Sequence, residues 1–443
     1  MSAINIGIVG LGNVGSGTLR VLASNVTQIE AKLGFPLVVK ILCARSVLDS
    51  PPEEINLFPH ATLTTRWQDV VEDPTIHVVA ELIGGTTTAA ELIENSITRG
   101  KSVVTANKEL MASQGARLCD QSIQSNVCLA MEASVAGGIP IHSVLREGIA
   151  GDQVQSMVGI LNGTCNYILT EMERSGDPLE SILAEAQRIG YAEADPSVDV
   201  DGYDAQSKLA LLAALAFGVH VDPQNIYREG IRRIRTIDFS YANLLKHTVR
   251  LIASAEQSDA GLLLSVRPTL VPQDTILASV QGSYNAIWIR GLHGADTFYY
   301  GRGAGPTPTG VAVVSDLMRA AREITSGSSQ RISPFAHSQL KQHTPIQIDN
   351  QIRSHYLRFR VKDRPGIIAN LADILAKAGI GLDAVLQEPS HKKDDLPFVI
   401  TVEPTRQSAI IEALTQMKHL DFLVEEPLAM PLQSGLESTE SEI

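Results

Sequence analysis

The chain has few cysteines: Cys43, Cys119, Cys128 and Cys165 are four in 443 residues. They show neither C-x-x-C nor paired spacing, which argues against a disulfide framework and for reduced thiols. It also lacks any apolar run approaching the roughly 20 residues that cross a bilayer, and no signal-peptide pattern precedes its first strand. A soluble, cytoplasmic protein is expected. Positive charge is in deficit, with 36 Lys and Arg against 49 Asp and Glu for a net charge of −13. Nucleic acid and anionic membrane are thereby disfavoured as partners, although a local basic pocket is not. An apolar fraction of 44% supplies real cores, and the length suits about three domains of ordinary size.

The N-terminus reads INIGIVGLGNVGSGTLRVLAS. Ile4 to Val9 predicts a short buried strand, and Gly10, Leu11, Gly12, Asn13, Val14 and Gly15 fit G-x-G-x-x-G ahead of a helix. Those glycines permit a tight turn, close approach to a pyrophosphate and close packing of helix on strand. The free N–H groups of the helix then face the phosphates. A second strand, Leu37 to Cys43, ends in Ala44-Arg45-Ser46, where an NAD site would usually place an acid. A guanidinium suits a 2′-phosphate, so NADP is favoured, while Asp49 keeps NAD open. His77 to Ile83 predicts a further parallel strand ending in Gly84-Gly85-Thr86-Thr87-Thr88, and a helix follows from Ala89 to Arg99. The strand Ser102 to Thr105 then delivers Lys108 to the carboxyl edge of the sheet, where open α/β sheets bind ligands.

Between Gly190 and Lys208 the chain reads GYAEADPSVDVDGYDAQSK, and the apolar run LALLAALAF follows. The acids are Glu193, Asp195, Asp199, Asp201 and Asp204, and the single base is Lys208. On a helix Asp204 and Lys208 stand one turn apart on one face. That face continues into Leu211, Leu212 and Leu215, so it points inward. A lysine so placed is a candidate for a desolvated, tunable amine.

Seven separated segments resemble homoserine dehydrogenases, in the same order and from about residue 4 to about 325: GLGNVGSG, AELIGG, VVTANKEL, MEASVAGGIPI, GILNGTCNYIL, GYAEADPSVDVDGYDAQSKLALL and GRGAGPTPTGVAVVSDL. The resemblance implies NAD(P)-dependent interconversion of L-homoserine and L-aspartate 4-semialdehyde, within threonine and methionine biosynthesis. It implies that Lys208 is the proton donor, with Lys108 beside nicotinamide and substrate. Glu193 and Asp204 would hold homoserine, with Asp199, Gly190 and Thr164 alongside, and Asp195 and Asp201 only solvated. Gly85, Thr86 and Gly305 would join the cofactor site. EASVAGGIP resembles the family's sodium-binding turn, using groups at Glu132, Val135, Gly137 and Ile139. The chemistry is consistent with the residue types: aldehyde reduction needs a hydride on one face and a proton for the developing alkoxide. If Lys108 and Lys208 meet across the cleft, each could lower the other's pKa. Cys165 and His142 read as packing residues, with no nucleophile–base pair calling for a covalent intermediate.

The expected architecture is α/β. It comprises an N-terminal Rossmann-type parallel sheet (1–133, with a return helix in 306–325), an α+β substrate and dimerisation domain (134–305), a linker (326–350) and a βαββαβ unit (351–430). Strands are expected at Asp274 to Val280 and Ala286 to Leu292, in a mixed sheet used for dimerisation, and a disordered tail after residue 430. HYLRFRVKDRPGIIANLADILAKAGIGLDAVLQ resembles the ACT domain, with DRPG, LA and AGI as its signature. That implies feedback inhibition, by threonine, with Asp363, Arg364, Pro365, Gly366 and Ile367 near the effector. A pure oligomerisation module is the alternative. A homodimer or homotetramer is expected. Other readings of the whole chain are another Rossmann oxidoreductase of amino-acid aldehydes, or an amino-acid sensor without catalysis.

Overall fold

The computed structural model describes residues 3–327, 333–337, 339–388 and 392–433. Six strands form the first sheet: β1 (Ile4–Val9), β2 (Leu37–Cys43), β3 (Thr62–Thr64), β4 (Val78–Glu81), β5 (Ser102–Thr105) and β6 (Leu129–Ala130). Their order is β3-β2-β1-β4-β5-β6, and every pairing is parallel. The inner strands are apolar and buried on both faces, as a sheet covered by helices on each side requires. The strand order reverses between β1 and β4, which opens a crevice at their carboxyl ends. The Pro306–Ser326 helix returns to this domain and lies across the Asn13–Ser24 helix. Their crossing is close because a Cβ on Gly17 would stand 2.0 Å from the Pro306 carbonyl oxygen.

The second sheet runs β13 (Asp296–Arg302), β12 (Tyr284–Gly291), β7 (Val154–Ile160), β10 (His247–Ser258), β11 (Gly261–Pro272) and β9 (Tyr227–Arg228). It is mixed, since β9 pairs parallel with β11 while the other neighbours run antiparallel. The expected strand at Asp274 to Val280 is absent. A 3-10 turn, Ile276–Ser279, stands there, capped by the Thr275 side chain on the Ala278 amide. Its apolar Leu277, Ala278 and Val280 fill a pocket beside β7 and β12, so burial rather than alternation explains them.

Between the two sheets runs the Tyr203–Phe217 helix, buried on nearly all sides. Leu209, Leu211, Leu212 and Leu215 join one core with the Lys108–Gln124 helix and with β10 and β11. A helix apolar all round belongs in such a position.

The stretch expected as a linker is docked where it is described. Phe335 is buried against Gly115, and the His337 ring meets the Leu215 carbonyl at 3.0 Å. β14 (Lys341–Gln342) pairs with β8 (Val219–His220). The last unit contains β15 (Ile352–Val361), β16 (Leu382–Leu386), β17 (Leu396–Arg406) and β18 (Leu428–Pro431), with helices Ile367–Lys377 and Gln407–Met417. Its antiparallel order β16-β17-β15-β18 gives the expected βαββαβ unit, with Leu357, Phe359, Phe398 and Ile400 facing the helices. The opposite face docks on the second domain. There Arg358 joins the buried Asp238 carboxylate, Glu425 at 3.0 Å and the Arg233 carbonyl at 3.1 Å, while the Tyr356 hydroxyl donates to Asp238 at 2.8 Å. β18 continues toward β11 through a bridge between Leu270 and Leu432. Of the tail expected to be disordered, 434–443 lies outside the described residues.

Candidate active site

The turn after β1 supplies the first half of the site. Gly10 has φ +105, and a Cβ there would stand 2.4 Å from the Leu82 carbonyl oxygen, so the β1 and β4 loops touch. A Cβ on Gly15 would stand 2.1 Å from the Gly10 carbonyl oxygen, which seats the helix tightly on the strand. Gly12 differs: nothing lies within 4 Å of its would-be Cβ, and it caps the Asn13–Ser24 helix with no side chain. Space and free N–H groups thus meet where a pyrophosphate would sit. Leu11 is buried, whereas Asn13 is exposed and Val14 half-buried at the helix start. Arg45 is exposed just past the end of β2, and Asp49 is exposed four residues further on.

The loop after β4 is held by a residue that sequence reasoning passed over within AELIGG. Glu81 is fully buried; its carboxylate accepts from the Thr105 hydroxyl at 2.5 Å and the Ile83 amide at 3.0 Å. Burial pushes its carboxyl pKa up against those hydrogen bonds. Asn107 donates to the Gly85 carbonyl at 2.7 Å and caps the Lys108–Gln124 helix by accepting from the Leu110 amide at 3.1 Å. One asparagine thus places both the Gly85-Thr86 turn and Lys108.

Lys108 and Lys208 come together on a single carboxylate. One oxygen of Asp204 is bonded by Lys108, and the other lies 2.8 Å from Lys208 Nζ. Asn162 donates to Asp204 at 2.9 Å and to Asp199 at 2.6 Å, while its own carbonyl oxygen caps the Gly163–Ser175 helix. Lys208 also donates to the Leu161 carbonyl at 2.9 Å, which accepts from Asn285 at 2.8 Å as well. Burial alone would push the Asp204 carboxyl up, but the Lys208 and Lys108 ammoniums hold it well below the usual carboxylate range. For Lys108, burial opposes the charged form, yet Asp204, with Asp199 and Glu109, raises its pKa overall. The lysines therefore meet through an acid, and the depression expected from their meeting does not occur at Lys108. Asn162 and Asn285 were not singled out from the sequence; the only signal was their place in GILNGTCNYIL and at the start of β12.

The other candidates lie around this cluster. Thr164 donates to the Tyr191 carbonyl at 2.9 Å, and Gly190, at φ +80, turns the chain there. Glu193 and Asp195 are exposed, and Asp195 caps the Ser197 amide at 3.0 Å. Asp201 points away to Arg232 at 2.5 Å. Gly305 adopts φ +123 as the cap of the Pro306–Ser326 helix.

The Glu132 carboxylate is occupied by main-chain amides, His142 at 2.8 Å and Ser143 at 2.9 Å. Ala136 and Gly137 both have positive φ, and Ile139 offers its carbonyl to the Ile141 amide at 2.8 Å. No cluster of three or more His, Cys, Asp or Glu fit to hold a metal exists among the described residues. Cations at this turn would depend on main-chain oxygens, which suits a hard monovalent ion better than a transition metal. Val135 is buried there. His142 is buried with neither ring nitrogen bonded, and burial takes its pKa down to about 4. Cys165 is buried too, its thiol donating to the Asp199 carbonyl at 3.2 Å. Both act as packing groups.

In the C-terminal unit, Asp363, Arg364, Pro365 and Gly366 form an exposed turn, and Ile367 is buried at the head of its helix. Arg364 is committed to Asp421 at 2.9 Å.

A parallel dinucleotide-binding sheet with an acid-bridged lysine pair at its carboxyl edge marks an NAD(P)-dependent oxidoreductase. Sequence comparison sharpens the class. Residues 10–132 match the homoserine dehydrogenase NAD-binding domain, 140–318 the homoserine dehydrogenase domain, and 355–419 the ACT domain. The homoserine dehydrogenase of Pseudomonas aeruginosa is 38% identical over 424 residues, covering 95% of this chain and 96% of its own. That of Bacillus subtilis is 35% identical, over 96% and 97%. The crystal structure of a homoserine dehydrogenase from Thiobacillus denitrificans superposes with a TM-score of 0.90 at 37% identity, covering 98% of this chain and 99% of that one. A hyperthermophilic archaeal homoserine dehydrogenase in complex with NADPH matches with a TM-score of 0.61 at 27% identity, over 72% and 97%. The chain belongs to the homoserine dehydrogenase family. No helix among the described residues is long and apolar enough to cross a membrane.

Proposed function

We propose that this enzyme interconverts L-homoserine and L-aspartate 4-semialdehyde with NADP, and that Lys208 carries the proton. The observation behind this reading is the meeting of Lys108 and Lys208 at Asp204, on the carboxyl edge of the nucleotide-binding sheet. The nicotinamide, when bound, takes or gives the hydride. The open space at Gly12 and the exposed Arg45 suit a pyrophosphate and a 2′-phosphate respectively.

Around the hydride transfer, this chain's own groups bind and move a proton. As the neutral amine Lys208 accepts the proton of the homoserine hydroxyl on oxidation, and as the ammonium it returns one to the developing alkoxide on reduction. Asp204 and the Leu161 carbonyl fix its Nζ in place. Lys108 stands beside the reacting carbon and stabilises negative charge on its oxygen. Glu193 and Asp204 hold homoserine, with Asp199, Gly190 and Thr164 alongside, and Asp204 also bridges the two lysines. Sodium would be held by main-chain oxygens at Glu132, Val135, Gly137 and Ile139, steadying the turn. The ACT domain reports threonine through the Asp363–Ile367 turn as feedback on threonine and methionine synthesis, in a dimer or tetramer built on the second sheet.

Steady-state oxidation of L-homoserine with NADP and with NAD, each with and without L-threonine, tests the reading. Turnover with NADP preferred and slowed by threonine is expected. No turnover with either cofactor would overturn it.

A further inference from the structure

Lys208 Nζ has two acceptors, the Asp204 carboxylate at 2.8 Å and the Leu161 carbonyl at 2.9 Å, and no third partner among the described residues. A tetrahedral nitrogen bonded to Cε and donating to two fixed oxygens has one direction left. In the ammonium that direction carries the third N–H, and in the neutral amine it carries the lone pair. Whatever holds the two acceptors therefore aims the position from which a proton is given or taken.

Each acceptor is held by a different asparagine. Asn162 donates to Asp204 at 2.9 Å. Asn285 donates to the Leu161 carbonyl at 2.8 Å, and the fold does not require this second bond. Leu161 already has Lys208 as a donor, so its carbonyl would be satisfied without Asn285. Asn285 is buried, and its own side-chain oxygen has no partner among the described residues. An apolar residue at this place would avoid burying an unbonded oxygen. The surroundings nevertheless fix the amide where it is. Ala286 of β12 pairs with Ile160 of β7, so Asn285 comes level with Leu161. On the far side a Cβ on Gly303 would stand 2.0 Å from Asn285 Nδ2, so the turn after β13 closes on the amide only because that residue is glycine.

We propose that Asn285 is a positioning residue for homoserine oxidation: by fixing the Leu161 carbonyl it aims the proton-carrying position of Lys208 at the substrate oxygen. This goes one step beyond the reading of Lys208 as the proton carrier and rests on it. Without the Asn285 bond the carbonyl keeps Lys208 as its only donor and follows the Nζ instead of holding it. A misplacement of about 1 Å at the reacting atoms costs up to about 10²-fold in rate.

The test uses the full chain. Asn285→Leu keeps the branched shape of the side chain and removes the donor. Homoserine oxidation with NADP is compared in the parent, Asn285→Leu, Lys208→Ala and the double variant. Asn285→Leu should lower kcat about 10- to 100-fold, with Tm within a few degrees of the parent. KM for NADP should stay within about twofold, since the lost contact aims a group that acts only in the transition state. The double variant should match Lys208→Ala within about twofold, because a residue acting through Lys208 has nothing left to act on. A purely structural role would instead multiply the two losses. Asn285→Ala should repeat the pattern in a smaller side chain. A parent-like kcat in Asn285→Leu, multiplied losses in the double variant, a rise in KM for NADP as large as the fall in kcat, or failure of both single variants at Asn285 to fold would each overturn the proposal. Failure of the underlying reading shows separately, as a parent-like rate in Lys208→Ala alone, and Asn285 then loses this role with it.

Discussion

Asp204 lies 2.8 Å from Lys208, one helical turn further along, and its second oxygen is held by Lys108 from the other domain. The packing of the two domains thus brings three charges together at the crevice. If Lys208 carries the proton, Lys208→Ala should lower kcat for homoserine oxidation by about 10²- to 10⁴-fold, the usual worth of a positioned acid–base group. KM for NADP should stay within about twofold, because Lys208 lies on the substrate side. An unchanged kcat would remove Lys208 from this role.

Asp204→Asn keeps the shape but leaves two ammoniums facing each other in a buried site. Removing one partner of a buried ion pair costs about 3–5 kcal/mol. The folded-state pKa of Asp204 lies below its unfolded value, so its contribution is present above about pH 4 and lost as pH falls through the folded value. Urea unfolding of parent and variant should therefore differ by a steady gap from pH 5 to 9, closing in acid. A gap that persists unchanged in acid would mean the carboxylate's charge is not what stabilises the fold.

The glycine turn separates binding from folding. Gly12→Ala adds a methyl to open space at an ordinary φ of −74, so Tm should hold while KM for the cofactor rises at least tenfold. Gly15→Ala pushes its methyl to 2.1 Å from the Gly10 carbonyl, so the fold itself should lose several degrees of Tm. Equal effects of both changes on Tm would show that Gly12 is structural.

Arg45 is an exposed cation just past the end of β2. Arg45→Ala should raise KM for NADP about tenfold and leave KM for NAD within about twofold, since the guanidinium meets only the 2′-phosphate. A parallel rise for both cofactors would assign Arg45 to something the two share.

Much of this was legible in the sequence because the relevant patterns are local. The Gly10–Gly15 turn, the Ser102–Thr105 strand and the Asp204–Lys208 helical face each depend on residues a few positions apart. What escaped depends on distant partners. Asn162 earns its place only because the Tyr203–Phe217 helix carries Asp204 to it, across 42 residues of chain. The 326–350 stretch has no periodicity of its own, yet Phe335 finds a slot beside Gly115 that no local pattern announces. Leu277 and Val280 mimic a strand's apolar content but are buried by a capped turn. The sign of the Lys108 shift was missed for the same reason: proximity of two lysines was foreseen, the acid between them was not.

His355 tests how the ACT domain stays docked. It is 1% exposed at the seam, with Nε2 at 2.9 Å from the Gln407 side-chain oxygen and Nδ1 at 2.9 Å from the Arg353 carbonyl. A neutral ring can donate to only one of them, so protonation would satisfy both. Against this stand burial first and then the neighbouring Arg267 and Arg353 guanidiniums, and the pKa falls to about 4. Glu256, on β10, is committed to Arg353 at 2.7 Å. A histidine whose folded pKa lies below its unfolded value contributes stability that is present above about pH 6.5 and lost as pH falls toward 4. At pH 5 the loss should reach about 2 kcal/mol, at 1.36 kcal/mol for each pH unit below the unfolded value. Amide hydrogen exchange in β15 and β18 should therefore quicken, after correction for the intrinsic rate, between pH 7 and pH 5. His355→Gln, which cannot titrate, should abolish that change while keeping a hydrogen bond to Gln407. If the parent's protection is as strong at pH 5 as at pH 7, the two carbonyl contacts outweigh burial and the ring is charged when docked.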